Sequence, residues 1–578
     1  MISFEPEDGR YIVRIGRVSA SQSTLMILAA VVVGLGGGFG AVAFRALIAG
    51  ANSLAFGIIG TFLANHIGPS GVVLQLALGG AIAAFIASRF TPEAKGHGVP
   101  EVMEAVALRG GIMRPRVISI KAFASAVSIG FGGSCGREGP IVQIGSAIGS
   151  VLGQIAHAPA PIIRTLVACG AAAGISANFN APIGGVFFAS EVILGEFAPR
   201  SFAAIVVASV IAAVIGRTFL GNHPSFSAAG FALISPLELT LYALLGMLAA
   251  LWAMGFVNLL YAVEDGFERL RIPAWWKGAA GFAGVGAIGI WFPQIFGVGY
   301  NEIQQVFYSH VPAAHAITLA VLKPLATALT LGAGGSGGVF APSLFTGAFL
   351  GDGFGVLVHH TFPSWTGPAA AYGLVGMAAV FAAASEAPIT AIMIVFEMSN
   401  DYTIILPLMV AVVIATLLGR RLLGSTIYER KLLRRGIDWQ RIRSPQVFAR
   451  ISVSQVGRTP PLIVQQEQTI RSIALGGAAS TELALPVCSG QQFVGIVNLG
   501  DVSRALVAGY GERNVATILL PAQGILAPDD TLERAATLMA DPRAPLLPVI
   551  ADGGHLVGIV TRRDLLSAYR SVMENTSS

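Results

Sequence analysis

Charged side chains are sparse over the first 420 residues of this 578-residue chain, which hold only 37 of its 67 Lys, Arg, Asp and Glu residues. The last 158 residues hold the other 30. A water-soluble fold needs polar side chains over much of its surface, and the first 420 residues lack them. Most of that surface must therefore contact lipid, which excludes a soluble enzyme, a secreted disulfide scaffold and a disordered chain.

Smaller signals exclude other classes of function. A net charge of +5 on 59.7 kDa forms no basic patch, so we predict no nucleic-acid partner. Three cysteines, an odd number, indicate no disulfide framework. The sequence has no Walker loop, His/Cys metal spacing or nucleophile elbow, so we predict neither a metal site nor an enzyme.

A run of basic residues separates the two parts of the chain. Its members are Arg420, Arg421, Arg430, Lys431, Arg434, Arg435, Arg441 and Arg443. We predict an N-terminus over 1–20, a membrane domain over 21–425, a basic linker over 426–445 and a soluble tail beyond it. Because basic segments stay on the cytoplasmic side, we expect a multi-pass protein of the plasma or inner membrane with both termini in the cytoplasm.

Glycine or proline interrupts nearly every apolar stretch of the membrane domain, and the chain holds 71 glycines. Spanning the hydrocarbon takes about 20 apolar residues, and several stretches are shorter. Non-helical backbone survives at membrane depth only where protein or an aqueous cavity covers it. We therefore predict an all-α polytopic membrane domain with broken and re-entrant helices.

An internal repeat runs through this domain. The aligned segments, at offsets of 202 and 206, are 130–140 with 332–342 and 170–191 with 376–397. Glycines, Ser134 and Pro140 have identical partners in the first pair of segments. We predict two repeats, about 22–222 and 236–425. Interrupted segments at matching places in the two halves of a transporter point to its substrate site.

Glycine-rich loops run into apolar helices at three places, 130–140, 332–342 and 96–101. A helix start of this kind leaves backbone N–H groups free and carries the positive end of the helix dipole. Such groups can replace the water around an anion without a full positive charge, so the ion can also leave. The pattern therefore favours an anion path.

Three motifs give the chain a family resemblance. Gly136-Arg137-Glu138-Gly139-Pro140 resembles the GREGP signature of the CLC family of chloride channels and chloride/proton exchangers. The segments 96–100 and 338–342 are similar to its GSGIP-type and GxFxP motifs, and 400–402 resembles the segment with its pore tyrosine. The resemblance implies a homodimer with one pore in each subunit, built from two inverted repeats.

The resemblance also implies a role for each matched residue. Glu138 would be the gating glutamate, whose carboxylate competes with the permeating anion. Tyr402 would offer its hydroxyl to the central anion. The full set of implied anion-binding residues is His97, Gly98, Arg137, Gly139, Val339, Phe340, Ala341 and Tyr402.

Two positions depart from the family pattern. His97 stands where the family usually has a serine, so its imidazole either tunes selectivity and pH response or turns away and leaves only the backbone. Val192 stands where exchangers of the family often carry an inner glutamate for protons. Glu191 lies one residue away, and its repeat partner Glu397 favours a structural role.

The tail contains a second duplication. Residues 495–501 align with 558–564 at an offset of 63, and each segment lies between a strand-like and a helix-like stretch. This resembles an α/β pair of CBS domains, which we place at 446–515 and 516–578. The resemblance implies an adenine nucleotide as candidate ligand. It would contact Asn498, Asp501, Thr561 and Asp564.

The first copy has Asn498 in place of the usual Thr or Ser. The alternative is therefore a pair of CBS domains that stabilises the dimer and binds nothing.

Together these features predict a voltage-gated chloride channel of the CLC type that passes chloride or a similar monovalent anion. Its partners would be the anion, the lipid bilayer and a second copy of the chain, and it would require no cofactor. Val192 favours a channel because it cannot carry a proton. The alternative is an H+/Cl− antiporter of the same family.

Overall fold

A computed structural model describes residues 2–7, 10–15, 18–222, 226, 231, 233–308, 311–439, 451–460, 462–477, 482–539, 544–551, 553–565 and 567–568. The chain forms two compact units, Met1–Trp439 and Gln440–Ser578.

The first unit begins with a small antiparallel sheet, which precedes the first apolar helix. Its strands, in the order β1-β2-β3, are Ile2–Glu7, Arg10–Ile15 and Val18–Ser21. The sequence prediction assigned only a terminal segment here, and the sheet is an addition to it.

The rest of this unit is helical, as the apolar stretches predict. Its helices are α1 (Gln22–Asn52), α2 (Gly60–Ile67), α3 (Gly71–Phe90), α4 (Val99–Leu108), α5 (Arg116–Gly130), α6 (Glu138–Ile155), α7 (Ala160–Phe179), α8 (Pro182–Phe188), α9 (Pro199–Leu220), α10 (Glu238–Arg269), α11 (Ala274–Gly289), α12 (Tyr300–Tyr308), α13 (Ala313–Gly332), α14 (Phe340–Thr361), α15 (Ala369–Ser385), α16 (Pro388–Ser399), α17 (Ile405–Leu423) and α18 (Glu429–Arg434). Short π turns at Ser53–Ile59 and Ala189–Leu194 extend α1 and α8.

Within the described residues, seven helical segments are long and apolar enough to cross a membrane. Three further apolar helices have only 10–17 residues. This mixture of full and partial helices confirms the predicted polytopic domain with broken helices.

Equivalent residues of the two repeats form equivalent hydrogen bonds from one repeat to the other. The Ser134 amide donates to Thr330 Oγ1 on α13 at 3.0 Å, and the equivalent Ser336 amide donates to Ser128 Oγ on α5 at 3.3 Å. Each residue of one bond lies 202 positions from its counterpart in the other. Reciprocal contacts of this kind are those of a two-fold relation, so the repeats face each other around a common axis.

Glycines set the distance between helices in the same symmetric way. A Cβ on Gly145 of α6 would lie 2.2 Å from the carbonyl oxygen of Gly170 on α7. Its repeat equivalent, Gly347 of α14, stands in the same relation to Gly376 of α15, also at 2.2 Å. Close backbone contact therefore replaces side-chain interdigitation at both crossings.

The tail folds as an α/β unit with one five-stranded sheet. Its strands are β4 (Val464–Gln465), β5 (Ala484–Ser489), β6 (Gln492–Asn498), β7 (Leu546–Ala551) and β8 (His555–Thr561), in the order β4-β5-β6-β8-β7. Its helices are Ile470–Gly477, Leu499–Val507 and Leu532–Met539. The antiparallel hairpins β5–β6 and β7–β8 are the two predicted copies.

The predicted linker over 426–445 is wrong in its first part. Ile427, Tyr428 and Leu432 are buried in the membrane unit, and Leu432 belongs to α18. The basic residues do not mark a solvated linker because α4 and α10 supply acidic partners for them. Residues 440–445 of the predicted linker lie outside the described residues.

Candidate functional site

Backbone hydrogen bonds bring the three predicted glycine-rich loops together. The amide of Gly96 donates to the carbonyl of Gly335 at 3.2 Å, and Gly337 donates back to Gly96 at 3.3 Å. Gly136 and Gly338 exchange a pair of bonds at 2.8 and 2.6 Å. The loops before α4, α6 and α14 therefore meet at one place inside the membrane unit.

Only glycine fits where α4 and α6 begin. A Cβ on Gly139 would lie 1.9 Å from the carbonyl oxygen of His97. Gly98 has a φ of +87°, and a Cβ there would lie 2.7 Å from the carbonyl oxygen of Gly139. The helix starts are thus pressed together, which concentrates free N–H groups and positive dipole ends in one small volume.

A narrow cavity lies at this meeting point. It is lined by His97, Val99, Glu138, Gly139, Val142, Phe188, Val339, Phe340 and Tyr428. Four of the predicted anion-binding residues are therefore in its wall, together with the predicted gate.

His97 lines the cavity, and the centre of its ring lies 6.2 Å from that of Tyr261. His97 is buried, and its Nδ1 has no hydrogen-bond partner among the residues that the structure describes. A buried ring nitrogen without a partner is costly unless a ligand satisfies it. The two alternatives given for this residue both stay predictions.

Tyr402 does not reach the cavity, which corrects the prediction for this residue. It is 73% exposed, and the centre of its ring lies 6.3 Å from that of Phe396. Tyr428 is buried and lines the cavity instead. Sequence reasoning missed Tyr428 because it lies within the basic run, which was interpreted as linker.

A capping box fixes Tyr428 at the start of α18. The Thr426 amide donates to Glu429 Oε2 at 3.1 Å, and the Glu429 amide donates to Thr426 Oγ1 at 3.0 Å. This Thr-x-x-Glu pattern is the sequence signal that could have revealed a helix here. Ion pairs of Lys431 with Glu264 and of Arg435 with Glu101 attach α18 to α10 and α4.

Arg137 is not among the residues that line the cavity. The guanidinium lies 5.1 Å from the centre of the Tyr300 ring. Any contribution of Arg137 to an anion site would therefore come from its backbone. Gly98 and Ala341 adjoin the lining residues in sequence but are not themselves in the wall.

The Glu138 carboxylate is buried and has two side-chain donors. Tyr300 Oη donates to Glu138 Oε1 at 2.5 Å, and Asn178 Nδ2 donates to the same oxygen at 3.4 Å. Glu138 Oε2 has no hydrogen-bond partner within the described part of the chain. The predicted gate therefore lies at the cavity with one oxygen anchored and one free.

Tyr300 was missed by the sequence analysis, although the repeat contains a signal for it. Segment 297–302, Gly-Val-Gly-Tyr-Asn-Glu, aligns with 96–101, Gly-His-Gly-Val-Pro-Glu, at an offset of 201. Tyr300 begins α12 as Val99 begins α4. A fourth glycine-rich helix start thus belongs to the same pattern.

Two buried lysines hold these loops, also at the repeat offset of 202. Lys121 Nζ donates to the carbonyls of Ala94 and Gly96 at 3.0 and 2.8 Å. Lys323 Nζ donates to the carbonyls of Ile295 and Gly297, both at 2.9 Å. Each lysine fixes the loop that leads into α4 or α12.

Glu191 has the structural role that its repeat partner predicts. Its carboxylate accepts from the amide and hydroxyl of Thr390, at 2.8 and 2.6 Å, at the start of α16. Glu397 accepts from Ile183 and Gly184 at the start of α8, at 3.0 and 2.6 Å. These glutamates cap helix starts in each other's repeat, and the neighbouring Val192 is buried and apolar.

Comparison with known proteins assigns this arrangement to a family. A family model described as "Voltage gated chloride channel" matches residues 79–420. The chain belongs to the CLC family. A second model, for the CBS domain, matches residues 525–571 in the tail.

Relatives of this CLC protein are named for different functions. It is 34% identical to a "Putative chloride channel protein ClcB-like" of Ralstonia nicotianae over 60% of this chain and 81% of that one. It is 31% identical to an "H(+)/Cl(-) exchange transporter ClcA" of Salmonella arizonae over 74% of this chain and 92% of that one.

A crystal structure of a slow cyanobacterial Cl−/H+ antiporter aligns with a TM-score of 0.67 at 28% identity, over 73% of this chain and 99% of that one. The chain is thus an anion transporter of the CLC family. The names of these related proteins support the exchanger alternative more than the channel.

The nucleotide residues predicted in the CBS pair form two local clusters. In the second copy, the Thr561 amide and hydroxyl donate to Asp564 at 2.8 and 2.6 Å, and Arg458 Nε donates to the same carboxylate at 2.8 Å. In the first copy, Asn498 Nδ2 donates to Asp501 at 3.2 Å. Arg458 also forms an ion pair with Glu482.

We expect an adenine nucleotide to bind this second cluster. Millimolar ATP should raise the thermal unfolding temperature of the purified full-length protein, because a ligand that binds only the folded state stabilises it. Asp564→Ala should abolish the shift, whereas the exposed Asp529→Ala should keep it. The absence of a shift with any adenine nucleotide would favour the tail as a scaffold that binds nothing.

Replacing Tyr428 by Phe should weaken chloride binding by about three- to tenfold, the value of one hydrogen bond. Isothermal titration of chloride into the detergent-solubilised protein measures this. Tyr402→Phe is the matched control and should leave the affinity unchanged. A larger effect from Tyr402 than from Tyr428 would reverse the assignment.

Proposed function

We propose that this protein exchanges chloride for protons across the membrane. The observation that carries the proposal is the buried Glu138 carboxylate beside a cavity on which the starts of α4, α6 and α14 converge. The names of relatives such as the ClcA exchangers support it. An acidic group that competes with an anion for one place links the movement of a proton to that of the ion.

The cycle follows from the chemistry of these groups. Free amides at the helix starts, the Tyr428 hydroxyl and the His97 ring replace the water around chloride. The charged Glu138 carboxylate repels the ion and occupies the outer end of its path. Protonation neutralises the carboxylate and releases it, so that the anion can take its place.

A passive chloride channel is the second candidate, and Val192 favours it. A valine at the inner proton position neither binds nor releases a proton. An exchanger with this residue must bring protons to Glu138 by another inner route.

Liposomes that contain the purified protein distinguish the two candidates. With an outward chloride gradient and a potassium ionophore present to carry the compensating charge, an exchanger drives protons inward against their gradient, and its reversal potential shifts with the pH difference. A channel gives a chloride current that reverses at the chloride equilibrium potential alone. We expect proton uptake. A reversal potential that does not change with the pH difference would contradict the proposal of chloride/proton exchange.

We also propose that two copies associate through the face of α8, α9, α16 and α17, with both termini in the cytoplasm. The helices α8 and α16 are too short to cross the membrane. The backbone at their ends must therefore be shielded from lipid by protein. Exposed apolar side chains such as Ile183, Ile389 and Leu406 lie on this face.

Cross-linking tests the dimer, because the native cysteines are buried. Ile389→Cys should cross-link two copies in membranes, and Leu28→Cys on α1 should not. Equal cross-linking by both variants would contradict the proposed face.

A further inference from the structure

The hydroxyl of Tyr300 makes the shortest contact of the Glu138 carboxylate, at 2.5 Å. We propose that Tyr300 is a positioning residue that latches the charged gate carboxylate in the closed position and thereby sets the external pH at which the gate opens. The inference rests on the proposed role of Glu138 as the gate.

The backbone holds Tyr300 in place. Gly299 precedes it with a φ of +86°, and a Cβ at that position would lie 2.6 Å from the Phe345 ring. Lys323 holds the loop one step earlier, through the carbonyl of Gly297 at 2.9 Å. The hydroxyl is therefore presented from a rigid support and does not need to be ordered when it binds the carboxylate.

Side chains fix the Tyr300 ring on several sides. Phe179 and Phe226 lie 6.2 and 5.8 Å from it, centre to centre, and the Arg137 guanidinium lies 5.1 Å away. A phenylalanine at position 300 would keep all of these contacts. The variant Tyr300→Phe therefore removes the hydrogen bond with little change in packing.

The two carboxylate oxygens of Glu138 have different surroundings. Tyr300 and Asn178 both donate to Oε1, whereas Oε2 is buried without a partner in the described part of the chain. A charged oxygen without a donor is destabilised by burial. The proton that opens the gate therefore binds at Oε2, while Tyr300 stabilises the charged form of the carboxylate through Oε1.

Other charged and titratable groups around this pair stay in place when Tyr300 is changed. They are Arg45 on α1, Cys135 and Arg137 in the loop before α6, His97 before α4 and Tyr428 before α18. Because the variant alters none of them, a change in the pH profile reports the hydroxyl itself.

Chloride flux into liposomes as a function of external pH tests the latch. Loss of the hydroxyl destabilises the charged, closed carboxylate, so Tyr300→Phe should move half-maximal flux to a higher pH by about one to two units, the value of a hydrogen bond to a charged group. Asn178→Ala removes the longer bond and should shift the profile in the same direction by less. This second variant keeps the test decisive if Tyr300→Phe does not fold.

Tyr372→Phe is the matched control. Tyr372 is also buried and also donates to a carboxylate, that of Glu238 at 2.9 Å, but neither residue lines the cavity. Its profile should match that of the wild type. A Tyr300→Phe profile identical to the wild type, or a shift equal to that of Tyr372→Phe, would overturn the latch.

A Glu138→Gln background separates failure of the latch from failure of the gate. Flux should be independent of pH in Glu138→Gln, and adding Tyr300→Phe should change nothing. Full pH dependence in Glu138→Gln would overturn the gate and the latch together. A pH-independent Glu138→Gln combined with an unshifted Tyr300→Phe would overturn the latch alone.

Discussion

Replacing Glu138 by Gln should leave chloride flux intact while removing its dependence on external pH and lowering coupled proton movement by at least tenfold. The amide has nearly the shape of the carboxylate but no charge, so it no longer competes with the anion. It also cannot bind a proton, so each chloride that passes carries no proton in return. This is the largest functional effect that the site predicts.

Parallel recordings of chloride and proton flux in liposomes measure both parts of this result. Glu268→Gln is a suitable control because Glu268 is a half-exposed carboxylate at the end of α10, outside the cavity. It should keep the wild-type profile. A folded Glu138→Gln protein that conducts no chloride would contradict the gating role, because removing a competing charge cannot block the path.

Replacing Gly145 by Ala should cause a large loss of stability. The new Cβ would lie 2.2 Å from the backbone oxygen of Gly170, and the helical backbone cannot yield as a flexible side chain could. The helices α6 and α7 would have to separate, at a cost at or above the upper end of the usual range of about 1–3 kcal/mol for overpacking. Since α6 begins at Glu138, the shift would also reach the anion site.

The unfolding temperature in detergent, together with size-exclusion chromatography, measures this effect. Gly347→Ala at the equivalent crossing of α14 and α15 should behave in the same way. Gly255→Ala on α10 is the control because nothing lies within 4 Å of its added Cβ, and its helix propensity rises. Equal unfolding temperatures for Gly145→Ala and Gly255→Ala would show that the helices tolerate separation.

Position in the repeat explains which parts of the site could be predicted from sequence. The loops at 96–101, 130–140 and 332–342 were predicted to favour an anion path, and backbone hydrogen bonds bring them together. Glycine-rich helix starts are visible in sequence because their chemistry is carried by the backbone and needs no particular side chain. The structural role of Glu191 was predicted from its counterpart Glu397, because a contact that occurs in both repeats leaves its sequence pattern twice.

Tyr428 and Tyr300 show the limit of that reasoning. A lone tyrosine gives no local sign of whether its hydroxyl faces lipid, solvent or an ion. Tyr402 has the polar neighbours that favour a role in the path, yet it lies at the surface. Tyr428 lies within a basic run that is typical of a linker, and acidic residues of α4 and α10, far away in the chain, pair with that run.

Composition and the internal repeats were enough to predict a duplicated membrane protein with helix starts suited to an anion and an α/β tail. Composition and repetition carry that information because lipid exposure and two-fold packing constrain many residues at once. The folded structure was needed to place Tyr428 in the cavity wall and the Tyr300 hydroxyl on the Glu138 carboxylate. Each of those contacts joins residues that are distant in sequence, so a hydrogen bond of less than 3 Å depends on the exact packing of whole helices.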